Sequence, residues 1–275
     1  MCYLDVQTFF NKLADDGYKK GKCNIIANVV RSTFRFAVNN KYIKDNPAAD
    51  IEIMAEDTKE EEEPISYEDF KRVFKLLMQG QWTCQAIAVA IAISYYTGGR
   101  LSEVLAFQKS DIDMVNNTVS FNKTIGYSKE KGFYEKKMKT KSSYGTVPLV
   151  QPLKEILVEW YKKNPYETIC CREDGSYIKA DYVRRHLWKR TKVLGIYCHF
   201  HQFRHTYGTN LVAAGIDIAT VKTLMRHSNA QTTLSVYLHS KWKNDPDKIN
   251  HVFVKELPHF YHIPSKMPVS TAMMS

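Results

Sequence analysis

Two arginines, two histidines, a lysine and a tyrosine occur in this 275-residue chain in an order that suits phosphodiester cleavage without a metal. Arg100 follows the glycine pair of TGGRLSE, and Lys139 lies in KMKTKSS. His201 and Arg204 stand three apart in HQFRHTYGT, and His227 and Tyr237 bound HSNAQTTLSVY. In such a cleavage the transition state gathers negative charge on the non-bridging oxygens. A guanidinium suits them because its planar fork donates two parallel hydrogen bonds and stays charged. Arg100 and Arg204 are the candidate clamp, since preorganised electrostatic stabilisation is usually the largest catalytic contribution. Tyr237 is the candidate nucleophile: its phenol, ordinarily of pKa about 10, becomes in effect more acidic beside cations. Lys139 is the candidate general acid for the departing sugar oxygen. His201 and His227 can donate to phosphate oxygens or help move the tyrosine proton. Glu103, three residues after Arg100 on a helix, can orient an arginine or histidine.

Each residue also has a plainer reading. Arg100 taken alone is a surface arginine after two glycines. Lys139 sits among Lys136, Lys137 and Lys141, as on a solvated basic hairpin. His201 and His205 are four apart and share a helix face, as metal ligands do, but no HEXXH spacing or third ligand accompanies them. No metal or other cofactor is therefore expected. Tyr237 is one of 17 tyrosines. The joint order of all six outweighs these separate readings.

The elements that must position this set are mostly helical. Residues 1 to about 54 read as two or three helices. Asp5 is placed as a cap for a helix carrying Val6, Phe9, Phe10 and Leu13. A second helix carries Ile25, Ile26, Val29, Val30, Phe34 and Val38, with Lys22, Arg31 and Arg35 on its polar side. The acidic run EDTKEEEEP, residues 56–64, reads as a linker, since like charges repel and Pro64 stops a helix. Helices are expected over about 67–78 and 83–96, with Gly98-Gly99 ending the second and delivering Arg100. TVSFNKTI, GFYEKKMK and YGTVPL read as strands of one small antiparallel sheet, with Lys139 at a hairpin turn between the last two. Helices then return in LKEILVEWYKK, YVRRHLWKRTKVLG and the 201–237 block. The fold class is mainly α with a small antiparallel β-sheet.

Composition narrows the partners. The chain holds 39 basic and 29 acidic residues, a formal charge of +10, and six of the acids (Glu56, Asp57 and Glu60 to Glu63) fall in one run. The remainder is more basic still and suits a polyanion, most commonly nucleic acid. Lys123, Lys136, Lys137, Arg184, Arg185, Lys189 and Arg190 are candidate phosphate contacts, although YVRRHLWKR reads equally as a solvated helix face. The six cysteines show no CxxC pair and suit reduced thiols in a cytoplasmic protein. The longest apolar run, residues 86–93, is too short to span a bilayer, and MCYLDVQTFF lacks a signal-peptide pattern.

TGGRLSEVLAF, KTKSSYGTVPL, HQFRHTYGT and LMRHSNAQTTLSVY resemble, in that order, the arginine, lysine, HxxR and histidine-to-tyrosine boxes of the tyrosine recombinases of phages and conjugative transposons. The resemblance covers residues 1 to about 245. It implies Arg100, Lys139, His201, Arg204, His227 and the nucleophile Tyr237, with Glu103 as supporting acid. It implies a helical core-binding clamp in 1–55 and a DNA-cleaving and rejoining catalytic domain in 65–245. The tail, 246–275, would dock on a neighbouring protomer. The implied activity is integration or excision of a mobile element through a 3′-phosphotyrosyl ester, without ATP or metal. It acts on double-stranded attachment sites within a homotetramer, in the bacterial cytoplasm and on the nucleoid when bound. An excisionase or a host DNA-bending protein are the accessory partners such a system can use. Two positions depart from the pattern. Arg226 replaces the usual glycine before the second histidine and is expected to touch DNA or crowd the tyrosine segment. Gly145 stands where a basic residue is common. The front of the chain also begins where the family is mid-domain, so the clamp is expected to be partial. The rivals are a recombination-deficient DNA-binding remnant, a type IB-like topoisomerase and, more distantly, a metal-dependent nuclease.

Overall fold

In the computed structural model, α1 (Tyr3–Asp15) and α2 (Lys20–Asn39) form a first unit, residues 1–61, with the segment that follows them. The structure describes residues 2–56, 63–138 and 141–226. Val6 and Phe10 of α1 and Cys23 and Ala27 of α2 are buried together with Ala48, Ile51 and Ala55. Arg31 ties that last segment down, donating from Nε to the Ala48 carbonyl at 3.2 Å and from Nη2 to that of Ile51 at 2.8 Å. Two sequence expectations change here. Asp5 does not cap α1 from outside but lies in its first turn, where its carboxylate accepts the Cys2 N–H at 2.7 Å. The inward stripe of α2 runs through Cys23 and Ala27, with Ile26, Val30 and Phe34 packed beside it. Ile25 and Val29, each two positions and so about 200° round the helix from that stripe, are exposed.

The second unit, residues 62–275, begins with α3 (Tyr67–Met78), whose N-cap Ser66 accepts the Asp69 N–H at 3.1 Å. α4 (Trp82–Thr97) is apolar on nearly every side and is buried from Ala86 to Thr97, so it forms the axis of the core. Phe70 of α3 stacks on Tyr95 of α4 with ring centroids 4.0 Å apart. α5 (Leu101–Val104) follows after one turn of chain. Strands β1 (Ile112–Asp113), β2 (Thr118–Phe121), β3 (Lys123–Ser128), β4 (Gly132–Lys137) and β5 (Gly145–Pro148) come next. Helices α6 (Gln151–Lys163), α7 (Ala180–Thr191), α8 (Phe200–Ala213) and α9 (Ile218–Met225) complete the described part. The class is the one read from the sequence, mostly helical with small antiparallel pairing.

The strands form two sheets rather than one. β1, β2 and β5 make an antiparallel sheet in the order β1-β2-β5, with Val119 opposite Val147, and β3 and β4 make a separate hairpin. TVSFNKTI divides at Asn122, whose side chain leaves the ladder to donate to Asp111 at 2.7 Å. β4 and β5 are therefore not partners, and the chain between them is a crossover from one sheet to the other instead of a hairpin turn. Lys139 belongs to that connection but lies outside the described residues.

Candidate active site

The site is built on the end of α4. Gly98 closes that helix in the left-handed region, φ +64°, and a Cβ there would stand 2.6 Å from Tyr207 Cδ1. A Cβ on Gly99 would meet Val104 Cγ2 at 2.7 Å. The glycine pair thus lets the chain turn against the core and places Arg100 at the N-cap of α5. Glu103, 2% exposed, accepts the Arg100 backbone N–H at 2.9 Å and the Arg100 Nη1 at 2.8 Å. The carboxylate so fixes both the backbone and the head of Arg100, whose side chain keeps about a third of its surface open.

That open side faces a cleft of about 350 Å³ lined by Arg100, Leu101, Ser102, Arg184, His199, Phe200 and His201. Phe200 and Phe203 anchor the first turn of α8 in the core, which leaves His201 on the exposed side. The rings of His201 and His205 meet edge to face, centroids 4.6 Å apart. Arg100 and His201 are therefore brought to one cleft. Among the described residues no group of three or more His, Cys, Asp or Glu stands where a metal ion could be held.

Arg204 is on the inner face of the same helix and is 1% exposed. It does not line the cleft. Its Nη1 donates to the Gly98 carbonyl and its Nη2 to that of Met225. Arg226, directly after α9, is also buried; its Nη1 donates to Leu224 O at 2.9 Å, and its Nη2 makes longer contacts to Gly98 O at 3.3 Å and Glu103 Oε2 at 3.4 Å. Both guanidiniums thus sit at the C-terminal ends of α4 and α9, where unpaired carbonyls concentrate partial negative charge. Two helix ends and one carboxylate compensate two buried cations and a half-buried one. The compensation is incomplete. Burial, then the neighbouring Arg100 and Arg226, push Arg204 down to about 9. Burial likewise pushes Arg226 down to about 10, against the opposing pull of Glu103.

The other candidates divide. Arg184 lines the cleft and pairs with Asp181 at 2.6 Å; Arg185, Lys189 and Arg190 lie on the exposed side of α7. Lys136 and Lys137 are exposed at the end of β4, Lys136 lying 4.8 Å over the Tyr134 ring. Lys123 is held inside, donating to Gln108 Oε1 at 2.7 Å and paired with the buried Asp111 at 3.2 Å, so its charge is already engaged. His227 and Tyr237 lie outside the described residues. The expectation that Arg226 touches DNA is corrected: at 2% exposure it turns inward, because the left-handed backbone at the end of α9 aims its side chain at the α4 terminus, while the tyrosine segment lies outside the described residues. His199 and Ser102 reach the cleft without having been singled out in the sequence. Their signal was adjacency alone, one residue before the α8 start and two after Arg100.

Comparison with known proteins gives a consistent set. The model of the phage integrase family matches residues 70–244. A XerC-like tyrosine recombinase of Caldanaerobacter subterraneus subsp. tengcongensis is 26% identical over 91% of this chain and 71% of its own length. The ICEBs1 integrase of Bacillus subtilis is 24% identical over 90% of this chain and 70% of its own. Among solved structures, the Tn1549 transposon integrase in complex with a circular intermediate DNA superposes with a TM-score of 0.73 at 20% identity, covering 92% of this chain and 85% of that one. A lambda integrase tetramer bound to a Holliday junction superposes with a TM-score of 0.62 at 15% identity, covering 89% and 67%. These two similarities are of fold.

Proposed function

The chain belongs to the phage integrase family, and from that membership we propose a site-specific tyrosine recombinase that integrates or excises a mobile element by cutting and rejoining DNA. The observation that carries the reading is the cleft into which Arg100 and His201 both open, with Glu103 buried behind Arg100. In this reading Tyr237 attacks the phosphorus, its oxygen forms a 3′-phosphotyrosyl ester, and the P–O5′ bond breaks. Lys139 gives its proton to the leaving 5′ oxygen. Arg100 and Arg204 hold the non-bridging oxygens, and His201 and His227 donate to the phosphate or move the tyrosine proton. The ester conserves the bond energy, so a partner strand's 5′-hydroxyl can displace Tyr237 without ATP. Double-stranded attachment sites are the substrate and a tetramer on synapsed DNA is the working assembly, by likeness to the lambda complex. Residues 1–55 serve as a clamp on DNA, and the residues after 245 as a tail docking on a neighbouring protomer. Arg185, Lys189 and Arg190 hold backbone phosphates, contacts that position without reading sequence.

A second reading, a DNA-binding relative that does not cleave, is favoured by one observation. Arg204 is buried and spends two of its five N–H donors on carbonyls. A nicked suicide duplex carrying the element's ends, incubated in EDTA, separates the two. The recombinase reading expects a DNA-linked protein band that survives SDS and disappears in Tyr237→Phe, which still binds DNA. A band retained in that variant would refute the nucleophile assignment. DNA binding with no band would favour the second reading.

A further inference from the structure

Arg226 is the buried cation to which the proposed chemistry assigns no role. It is one of three non-glycine residues with positive φ among those described, at φ 54° and ψ 44°. L side chains disfavour that region, and such strain persists only where the surroundings over-determine it. Here they do. The guanidinium lies 3.3 Å over the Phe121 ring and reaches Leu224 O, Gly98 O and Glu103 Oε2 together. Its stem fills the space beside Gly145, where an added Cβ would come within 3.3 Å of Arg226 Cδ. The two positions at which this chain departs from the family pattern are therefore in contact: strand β5 carries no side chain where the arginine of the α9 terminus needs room.

The consequence runs through Glu103. Its Oε2 accepts from Arg226 and from the Arg100 N–H, and its Oε1 accepts from the Arg100 head. The carboxylate is thus braced between one guanidinium that is 1% exposed and another that faces the cleft. We propose that Arg226 is a positioning residue for strand cleavage: it holds Glu103 and the α4 terminus so that Arg100 is presented to the cleft. At 2% exposure it acts through these neighbours and not on the DNA. A lysine cannot replace it fully, since a single ammonium lacks the planar fork that spans separated acceptors while stacking on a ring.

This role rests on the recombinase reading, and two readouts keep the two apart. Arg226→Met retains bulk without charge, Arg226→Gly suits the backbone without the side chain, and Arg226→Lys retains the charge. Amide exchange over residues 97–105 is expected to quicken by about tenfold or more in the Met and Gly variants, with the Lys variant between these and the parent and α6 unchanged, as for local opening. Single-turnover cleavage of the nicked duplex is expected to fall by about 10- to 100-fold, as a small misplacement of a catalytic group costs, with DNA affinity held within about threefold. Unchanged exchange over 97–105 in Arg226→Met would overturn the proposal. So would exchange rising equally in α6, or affinity falling as far as cleavage. If the parent chain itself forms no Tyr237-dependent adduct, the recombinase reading fails, while the exchange comparison still decides whether Arg226 braces Arg100.

Discussion

Glu103 is shared by two guanidiniums, and its removal has a definite expected cost. Breaking a buried ion pair by deleting one partner leaves an uncompensated charge and typically costs about 3–5 kcal/mol. Glu103→Ala is expected to lose stability on that scale in urea unfolding, because Arg226 stays buried without its carboxylate. Glu103→Gln keeps the shape and one acceptor and should lose less stability while still slowing cleavage. A Glu103→Ala protein within about 1 kcal/mol of the parent would show that the helix termini alone carry those cations. A second residue gives a pH test. His186, with its Nε2 3.2 Å from Cys84 Sγ, has its pKa lowered, first by burial and then by Arg190 and Lys189. A depressed folded pKa means that the unfolded chain binds the proton more readily. The stability His186 contributes is present above its unfolded pKa of 6.5 and is lost as pH falls through the lower folded value. Thermal melts at pH 7.5 and 5.5 should therefore differ more in the parent than in His186→Gln; equal differences would remove His186 as the cause.

At the scale of elements, the turn from α4 into α5 holds the site together, and its chemistry was written locally. Gly98 must be glycine twice over, for its positive φ and for the Tyr207 ring 2.6 Å from a built Cβ. Gly98→Ala is expected to destabilise by about 2 kcal/mol or more, combining backbone strain with displacement of a buried ring. A change within about 0.5 kcal/mol would mean the helix end relaxes freely. Such local signals made much of this frame legible: Pro64 ahead of α3, the glycine pair after α4, and a histidine and arginine three apart at the start of α8. Features set by tertiary partners were not legible. TVSFNKTI alternates throughout, yet Asp111 draws Asn122 out and ends one sheet there. Ile25 and Val29 fit a helical period as well as Cys23 and Ala27 do, and the packing of α1 and the 48–55 segment decides which stripe is buried. Arg226 was visible as a departure, but its inward direction depends on the empty place at Gly145 and on the end of α4, both remote in sequence. Lys123 reads as one more basic residue until Asp111 claims it.

For the whole molecule, a formal charge of +10 does not say which cations are open to a partner, and the structure separates the exposed ones from those already engaged. Arg184, Arg185, Lys189 and Arg190 lie on the exposed side of α7, and Arg184 also opens into the cleft. Lys123, Arg204 and Arg226 are paired or buried and contribute charge without surface. Neutralised phosphates release counterions, so log K falls with log salt at a slope of about −0.9 for each phosphate contact. Replacing the four α7 residues by glutamine is expected to flatten that slope by as much as about 3 to 4, weakening specific and non-specific duplexes alike. Lys123→Gln should leave the slope unchanged and instead lower the melting temperature, because it strips the buried Asp111 of its cation. Fluorescence anisotropy titrations from low to moderate salt distinguish these outcomes. A slope that changes with Lys123 and not with the α7 residues would mean that DNA approaches the sheet side of the unit, and that the exposed basic face of α7 is a solvated surface only.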